Sequence, residues 1–128
     1  MVRILNNASA FALAAAFCGT APAALAAGNA ASGAELFKRC TVCHTATKDG
    51  PNRVGPNLFG VVGRKAGTLP GYSYSTGMKN YGVVWSDDSL AKFIASPATV
   101  VQGTKMPFGG FSQAQQADDV AAYLATLK

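Results

Sequence analysis

Three residues with nucleophilic or metal-ligating side chains stand together in the pentapeptide Cys40-Thr41-Val42-Cys43-His44. Positions three apart share one face of a helix, so both thiols can reach the same flat partner. Two cysteines at this spacing, followed at once by a histidine, are typical of the attachment site of a c-type haem. The motif therefore predicts one covalent haem, with thioether bonds to Cys40 and Cys43 and with His44 as a ligand to its iron.

Three other kinds of site use similar residues. A structural zinc site needs about four nitrogen or sulfur ligands, and outside the motif the chain offers only the thiol of Cys18, because His44 is the single histidine. A thioredoxin-like redox pair belongs beside a βαβ unit, and residues 30–60 show no strand–helix–strand pattern. A disulfide would leave the adjacent histidine unexplained. The haem hypothesis accounts for all three residues of the motif.

A second axial ligand has to come from elsewhere in the chain. With His44 used, the candidates are Met78, Met106 and the lysines. Pro107 restricts the backbone of Met106 to extended conformations, and the glycines on either side, such as Gly103 and Gly109, allow a loop to approach a cofactor closely. Met78 lies in a polar, turn-like stretch, where a methionine that fills space in the core is the simpler interpretation. We therefore expect Met106 to be the sixth ligand.

The first residues resemble an export signal. A positive start, Met1-Val2-Arg3, precedes the apolar residues 8–17, and Ala24-Leu25-Ala26 offers small residues where a signal peptidase cleaves. An uncleaved membrane anchor is the alternative, since residues 8–27 are mostly apolar. The alanine content of that stretch and its interruption by a glycine and a proline favour cleavage. We expect a signal peptide over residues 1–26 and a single exported, periplasmic domain over residues 27–128.

Length and charge limit what that domain can do. About a hundred residues bury only a modest core, so a large apolar cofactor would supply missing apolar mass. Loss of Arg3 leaves ten basic and six acidic residues, a formal net charge of +4 against +5 for the full chain. No basic run of the kind that binds nucleic acid is present. A modest positive charge suits a carrier that meets acidic protein surfaces.

The elements that must position these residues are predicted to be helices joined by long loops. A capping box, Ser32-Gly33-Ala34-Glu35, is predicted to open the first helix. Residues 45–81 are dense in Gly, Pro, Asn and Ser and predict loops with at most one short helical turn. Ser86 is predicted to cap a second helix that ends before Pro97, and Ser112 a third. Loops of this length make sense if they wrap a prosthetic group.

The region from about Gly33 onward is similar to the class I cytochromes c, the small soluble mitochondrial and bacterial type. The resemblance covers almost the whole expected mature domain with few gaps. It implies an all-α fold in which the N- and C-terminal helices cross, with a middle helix and long loops wrapping one covalent haem. The landmarks that carry it are Cys40-Thr41-Val42-Cys43-His44-Thr45, Gly55-Pro56-Asn57-Leu58, Gly63-Arg64-Lys65, Pro70-Gly71-Tyr72-Ser73-Tyr74, Trp85, Pro97 and Gly103-Thr104-Lys105-Met106.

The resemblance assigns roles to individual residues. His44 and Met106 match the two axial ligands of the iron. Pro56 matches the proline whose carbonyl accepts a hydrogen bond from the free N–H of the histidine and so fixes the imidazole. These assignments agree with the interpretation reached from the motif itself.

Four more roles are implied for the haem pocket. Arg64, Tyr74 and Trp85 match the groups that neutralise or hydrogen-bond the buried haem propionate, which is needed because an unpaired carboxylate is costly in a low-dielectric crevice. Phe108 matches the aromatic residue that covers the haem beside the methionine. Without the resemblance, Trp85 would be equally well explained by core packing.

The chain also departs from the family pattern. Phe93 stands where a tyrosine is usual and Met78 where an asparagine is usual, so we expect a drier, less polar pocket on the methionine side. Several lysines expected around the haem edge are missing. We expect the remaining basic residues Arg39, Arg53 and Lys105 to contact redox partner proteins, with Lys38 peripheral.

The sequence as a whole therefore predicts a periplasmic one-electron carrier, monomeric, without a membrane span after cleavage and without affinity for nucleic acid. Because both axial positions of the iron are filled, we do not expect it to be an enzyme. The alternatives are a dedicated electron acceptor of one periplasmic dehydrogenase and a haem peroxidase or ligand sensor. The last of these would need an open iron, which Met106 argues against.

Overall fold

The computed structural model describes residues 27–128, which form five helices, with long loops at residues 38–75 and 101–113. The helices are α1 (Ala30–Phe37), α2 (Thr76–Tyr81), α3 (Asp87–Ala95), α4 (Pro97–Val100) and α5 (Ala114–Ala125). Within this range the only β pairing is an isolated antiparallel bridge between Lys65 and Val84. The expected all-α fold is confirmed. The expected signal peptide lies outside the described residues.

The two terminal helices pack against each other at a point of very close approach. A Cβ atom placed on Gly33 of α1 would lie 1.9 Å from the backbone oxygen of Asp119 in α5. The Asp119 carboxylate accepts a hydrogen bond from the backbone N–H of Asn29 at 2.7 Å, so it holds the start of α1. The rings of Phe37 and Tyr123 pack at 5.3 Å between their centroids. The expected pairing of the first and last helices is therefore present.

The predicted helix starts were right in one case and wrong in two. Ser86 caps α3 in a capping box shared with Ser89. In contrast, α1 begins at Ala30 with Asn29 as its N-cap, and the backbone N–H of Ser32 donates to the Asn29 side chain. Helix α5 begins at Ala114, preceded by Gln113, which makes no side-chain capping bond, and not at a Ser112 cap. The predicted short helical turn inside residues 45–81 is α2, at the end of that stretch.

A single core joins α1, α3 and α5 with the loop segments around residues 61, 85, 101 and 111. Its fully buried members include Val120, whose side chain is 1% exposed. Trp85 packs between Tyr81 and Phe93, with ring centroids 5.6 and 5.4 Å away. None of the helices within residues 27–128 is long and apolar enough to cross a bilayer.

A candidate haem crevice

One cavity of about 340 Å³ lies beside this core and is lined mostly by apolar side chains. All nine residues predicted for the site line it: Cys40, Cys43, His44, Pro56, Arg64, Tyr74, Trp85, Met106 and Phe108. They come from six separate stretches of the chain, at residues 40–44, 56, 64, 74, 85 and 106–108. The loops therefore bring together groups that the sequence keeps up to 68 positions apart.

The Cys-x-x-Cys-His motif lies just beyond α1 and not on it, because the helix ends at Phe37. Consecutive turns follow, in which the backbone N–H groups of Cys43 and His44 both donate to the Cys40 carbonyl, at 3.0 and 2.9 Å. Both cysteines are half-buried and line the same cavity, although a turn and not a helix brings them there. Burial raises the pKa of the Cys40 thiol, and the charge of Arg39 opposes the rise.

His44 is held by two residues of one loop. Its Nδ1 lies 2.7 Å from the carbonyl oxygen of Pro56. Because a carbonyl can only accept, Nδ1 carries the proton of the neutral ring, and Nε2 keeps a free lone pair. A Cβ on Gly55 would lie 2.3 Å from His44 Cε1, so only glycine lets the backbone approach the ring this closely. Burial lowers the pKa of His44, while the Pro56 hydrogen bond raises it in part, so the neutral form is favoured.

Met106 lies on the loop between α4 and α5. Its side chain is half-buried and lines the cavity. Its backbone N–H donates to Thr104 Oγ1 at 3.2 Å. Gly103, with a φ of 73°, makes the left-handed turn that leads into this loop. Met78, the other methionine within the described residues, lies on α2 and also lines the cavity.

Arg64 brings a positive charge to the cavity wall. Its Nη2 donates to the Asn57 carbonyl at 3.0 Å, and burial lowers the pKa of its guanidinium. In residues 27–128 the ion pairs are Lys38–Glu35 and Lys92–Asp88, so Arg64 has no carboxylate partner there. Burial also raises the pKa of Tyr74, which lines the cavity nearby, although the charge of Arg64 opposes this rise.

Trp85 is placed next to Arg64 by backbone pairing. The Trp85 N–H donates to the Arg64 carbonyl at 2.9 Å, and the Gly63 N–H donates to the Trp85 carbonyl at 2.7 Å. The side chain of Trp85 is buried and lines the cavity. The two segments predicted from the resemblance therefore meet through this short antiparallel contact.

Phe108 covers another side of the cavity. It packs edge-on against Phe111 at 5.2 Å, and the Arg39 guanidinium lies over both rings, at 5.8 and 5.2 Å from their centroids. Arg39 and Lys105 line the cavity, whereas Arg53 lies beside it and donates to the Thr41 carbonyl at 2.8 Å.

Several features of the crevice were not predicted. Val42 and Val54 line it while remaining 71% and 69% exposed, which gives its mouth an apolar rim. Tyr72 also lines it, and its hydroxyl donates to the Val54 carbonyl at 2.8 Å. The buried Asn57 side chain donates from Nδ2 to the carbonyls of Thr47 and Gly50, both at 2.9 Å. Asn57 stood among the landmarks of the resemblance without a role, and only its burial reveals one.

The residues of this crevice fit a covalent haem. It combines two thiols on one turn, an imidazole with a free lone pair, a thioether and an unpaired cation within apolar walls. No group of three or more Cys, His, Asp or Glu in residues 27–128 could hold a metal ion, which argues against the zinc alternative for that region.

Comparison with known proteins agrees with this chemistry. The family model for Cytochrome c matches residues 30–128. This chain belongs to the cytochrome c family. It therefore carries one covalent c-type haem and is an electron carrier, in agreement with the prediction from the Cys40–His44 motif.

Three relatives show the breadth of the similarity. Cytochrome c of Gibberella zeae is 46% identical over 101 residues, which cover 78% of this chain and 95% of that protein. Cytochrome c2 of Rhodomicrobium vannielii is 45% identical over 103 residues, covering 80% of this chain and 82% of that protein. A cytochrome c homolog of Rickettsia felis is 43% identical over 105 residues, covering 82% of this chain but only 60% of the longer relative.

Proposed function

We propose that this chain is a periplasmic one-electron carrier whose haem is bound by Cys40 and Cys43 and ligated by His44 and Met106. One observation supports this most strongly: both thiols, the fixed imidazole and the thioether of Met106 line a single apolar cavity. A set of two covalent anchors and two neutral ligands suits a haem that is retained in both oxidation states.

The haem iron supplies the redox chemistry by gaining and losing one electron. The protein controls the conditions for that exchange. Pro56 and Gly55 fix the ring of His44 in one orientation, with Nε2 as its free nitrogen. A neutral thioether such as that of Met106 favours the reduced state and raises the potential. The mostly apolar walls exclude water, so little surrounding polar structure has to reorganise when the charge changes.

Arg64, Tyr74 and Trp85 are proposed to bind the haem carboxylates. A carboxylate in a crevice is costly unless it is paired, and Arg64 is a half-buried cation without a carboxylate partner within residues 27–128. Phe108 and Pro56 complete the proposed site on two further walls of the cavity.

We further propose that the protein is a carrier and not an enzyme, because His44 and Met106 would both hold the haem iron and so leave no position for a substrate. We also expect it to be a monomer. It would meet acidic redox proteins through the mouth of the crevice. There the exposed Val42 and Val54 form an apolar centre, and Arg39, Arg53 and Lys105 supply positive charge around it.

The periplasmic location is inferred from the sequence of residues 1–26, which lie outside the described structure. A bacterial cytochrome c2 among the relatives is consistent with an exported carrier. The mass of the purified protein tests the assignment. We expect a chain that begins near Ala27 and carries one haem with both thiols consumed, whereas an intact leader or two free thiols would contradict it.

Substitution of the two methionines tests the ligand assignment. In the oxidised haem protein, Met106→Ala should abolish the far-red sulfur-to-iron charge-transfer band. It should also lower the potential by about 0.1 V or more, part of the span of about 0.8 V that axial ligands control. Met78→Ala is the matched control and should keep the band. A band that survives Met106→Ala but is lost in Met78→Ala would transfer the role to Met78.

A further inference from the structure

Asn57 is one of the two buried polar side chains of residues 27–128, and all of its polar groups are used. Its Nδ2 donates to the carbonyls of Thr47 and Gly50, and its Oδ1 accepts from the Phe59 N–H at 3.0 Å. Its own backbone N–H and carbonyl are hydrogen-bonded as well. Because a buried polar group without a partner is costly, this complete set of bonds holds the residue in one position.

The two Nδ2 bonds fix the chain beside the His44 ring. Their acceptors lie at the two ends of one turn, since the Gly50 N–H donates to the Thr47 carbonyl at 3.0 Å. Asn57 directly follows Pro56, whose carbonyl lies 2.7 Å from His44 Nδ1. The Pro56 carbonyl and the Asn57 nitrogen belong to the same planar peptide unit. A displacement of Asn57 therefore moves the carbonyl that orients the imidazole.

The Oδ1 bond shapes the turn that holds Arg64. By accepting from the N–H two residues further on, the side chain closes an Asx turn over residues 57–59. The carbonyls at both ends of this turn face the guanidinium. Arg64 Nη2 donates to the Asn57 carbonyl at 3.0 Å, and Nη1 donates to the Phe59 carbonyl at 3.5 Å. The side chain of Asn57 thus sets the spacing of the two acceptors.

We infer that Asn57 is a positioning residue that sets two parts of the haem site at once, the ring of His44 and the guanidinium of Arg64. The inference rests on the proposed ligation of the iron by His44. Asn57 does not itself line the cavity, so it acts only through these two residues. A hydrogen bond from the free ring nitrogen makes the imidazole a more basic ligand. Through Pro56, Asn57 would therefore affect how strongly His44 binds the iron.

Two substitutions separate the Nδ2 bonds from the Oδ1 bond. Asn57→Ala removes both. Asn57→Ser keeps a hydroxyl that can accept from the Phe59 N–H, as serine does in similar turns, but its side chain is too short to reach the turn at residues 47–50. Thr45→Val is the matched control. It removes the bond from Thr45 Oγ1 to the Pro51 carbonyl in the same loop, and it leaves every bond of Asn57 in place.

Solvent exchange of side-chain protons in the reduced haem protein, measured by heteronuclear NMR, tests both effects. We expect Asn57→Ala to accelerate exchange of the His44 Nδ1 proton and of the Arg64 guanidinium protons about three- to tenfold, the effect of losing one hydrogen bond. Asn57→Ser should accelerate exchange at His44 only, and it tests that effect without the alanine variant. Thr45→Val should change neither. Unchanged exchange at His44 in Asn57→Ser, or equal acceleration in Thr45→Val, would overturn the inference.

The reduction potential is a second measurement, which a purely structural residue would not change in a fixed direction. A weaker bond from His44 Nδ1 to the Pro56 carbonyl makes the imidazole a weaker donor, and this favours the reduced state. Voltammetry should therefore give a higher potential for Asn57→Ser than for the unsubstituted protein and for Thr45→Val. An unchanged or lower potential would overturn the effect of Asn57 on the iron.

The proposed ligation and the role of Asn57 fail in different ways. If the His44 ring of the unsubstituted reduced protein takes up a proton near neutral pH, as a free histidine does, ligation by His44 is wrong and the inference with it. If the ring stays neutral and its Nδ1 proton exchanges at the same rate in all the variants, ligation by His44 stands and only the role of Asn57 is overturned.

Discussion

The ring of His44 is fixed by two consecutive residues that act in different ways. The Pro56 carbonyl accepts a hydrogen bond from Nδ1. Gly55 has no side chain, and this leaves room for the ring, because a Cβ there would lie only 2.3 Å from it. The backbone N–H of Gly55 also donates to the Cys43 carbonyl at 2.8 Å, which ties this loop to the haem attachment motif. Orientation of the imidazole is therefore decided by backbone geometry, which side-chain identity alone does not reveal.

Tyr74 makes the stability of the protein depend on pH in the alkaline range. Burial, opposed in part by the charge of Arg64, raises the pKa of Tyr74 above its ordinary value of about 10. The folded state thus favours the neutral phenol, and this contribution is fully present below pH of about 10. As the pH rises further, the unfolded chain ionises first, so the free energy of unfolding falls until the folded pKa is passed.

Denaturation of the reduced haem protein at several pH values measures this effect. The slope of the unfolding free energy between pH of about 10 and about 11 should be shallower in Tyr74→Phe than in the unsubstituted protein. Identical slopes in the two proteins would show that Tyr74 does not contribute to the alkaline loss of stability.

At the scale of single residues, the sequence predicted most of the residues that line the crevice, but not the contacts that hold them in place. The pentapeptide at 40–44 is local, so its spacing alone predicted the haem, and the resemblance supplied Arg64, Tyr74 and Trp85. The contact of Gly55 with the His44 ring and the hydrogen bond from Lys105 to the Ser73 carbonyl depend on segments that the chain brings together from a distance. No local pattern contains that information.

Helices α1 and α5 form the contact on which the remaining elements are assembled. Gly33 allows the two backbones to approach so closely that a methyl group on it would collide with the Asp119 carbonyl. The obstacle is backbone and not the end of a flexible side chain, so it cannot move aside without displacing α5.

Gly33→Ala should therefore destabilise the haem protein by about 2 kcal/mol or more, although alanine is the better helix former. Ser32→Ala is the control, because it introduces alanine on the same helix at an exposed position whose bond to Asn29 uses only the backbone N–H. We expect it to change stability by less than about 0.5 kcal/mol. Guanidinium denaturation of both variants gives the comparison, and equal stabilities would mean that the helices can separate without cost.

The helix starts show where sequence reasoning succeeded and where it did not. Ser86 was predicted correctly as the cap of α3, where its side chain and that of Ser89 form a local capping box. Ahead of α1, Asn29 and Ser32 are both good caps, and tertiary contact chose Asn29, whose N–H is held by Asp119. Because that bond comes from the far end of the chain, the sequence near α1 could not predict it.

At the scale of the whole molecule, the arrangement of three basic side chains near the apolar mouth of the crevice is the main feature. Arg39 is held over aromatic rings, and Arg53 and Lys105 are each tied to a backbone carbonyl. These charges are oriented by contacts within the chain. On the proposed docking surface, the exposed valines at 42 and 54 would be the area from which a partner excludes water. Charge of this kind mainly affects the rate of association and its dependence on salt.

Electron transfer to an acidic redox partner should reflect this arrangement. At about 10 mM ionic strength, Lys105→Glu should slow the second-order rate about three- to tenfold, and the difference should shrink at about 150 mM. Lys128→Glu changes the net charge equally at a residue that does not line the crevice, and should have a smaller effect. Rates that are independent of salt, with no effect of Lys105→Glu, would remove electrostatic attraction from the account.

The bond between Asn29 and Asp119 joins positions 90 apart. A chain is synthesised, and passes through any export channel, from its N-terminus. Helix α1 and the cysteines just after it therefore emerge long before α5, the helix that packs against α1. Contacts of such separation form late, because the intervening loop must close first. Until residue 119 arrives, the start of α1 lacks the hydrogen bond that holds it in the folded protein. The order of the elements thus leaves a period in which α1 and the two cysteines after it are already present but α1 has not yet docked against α5.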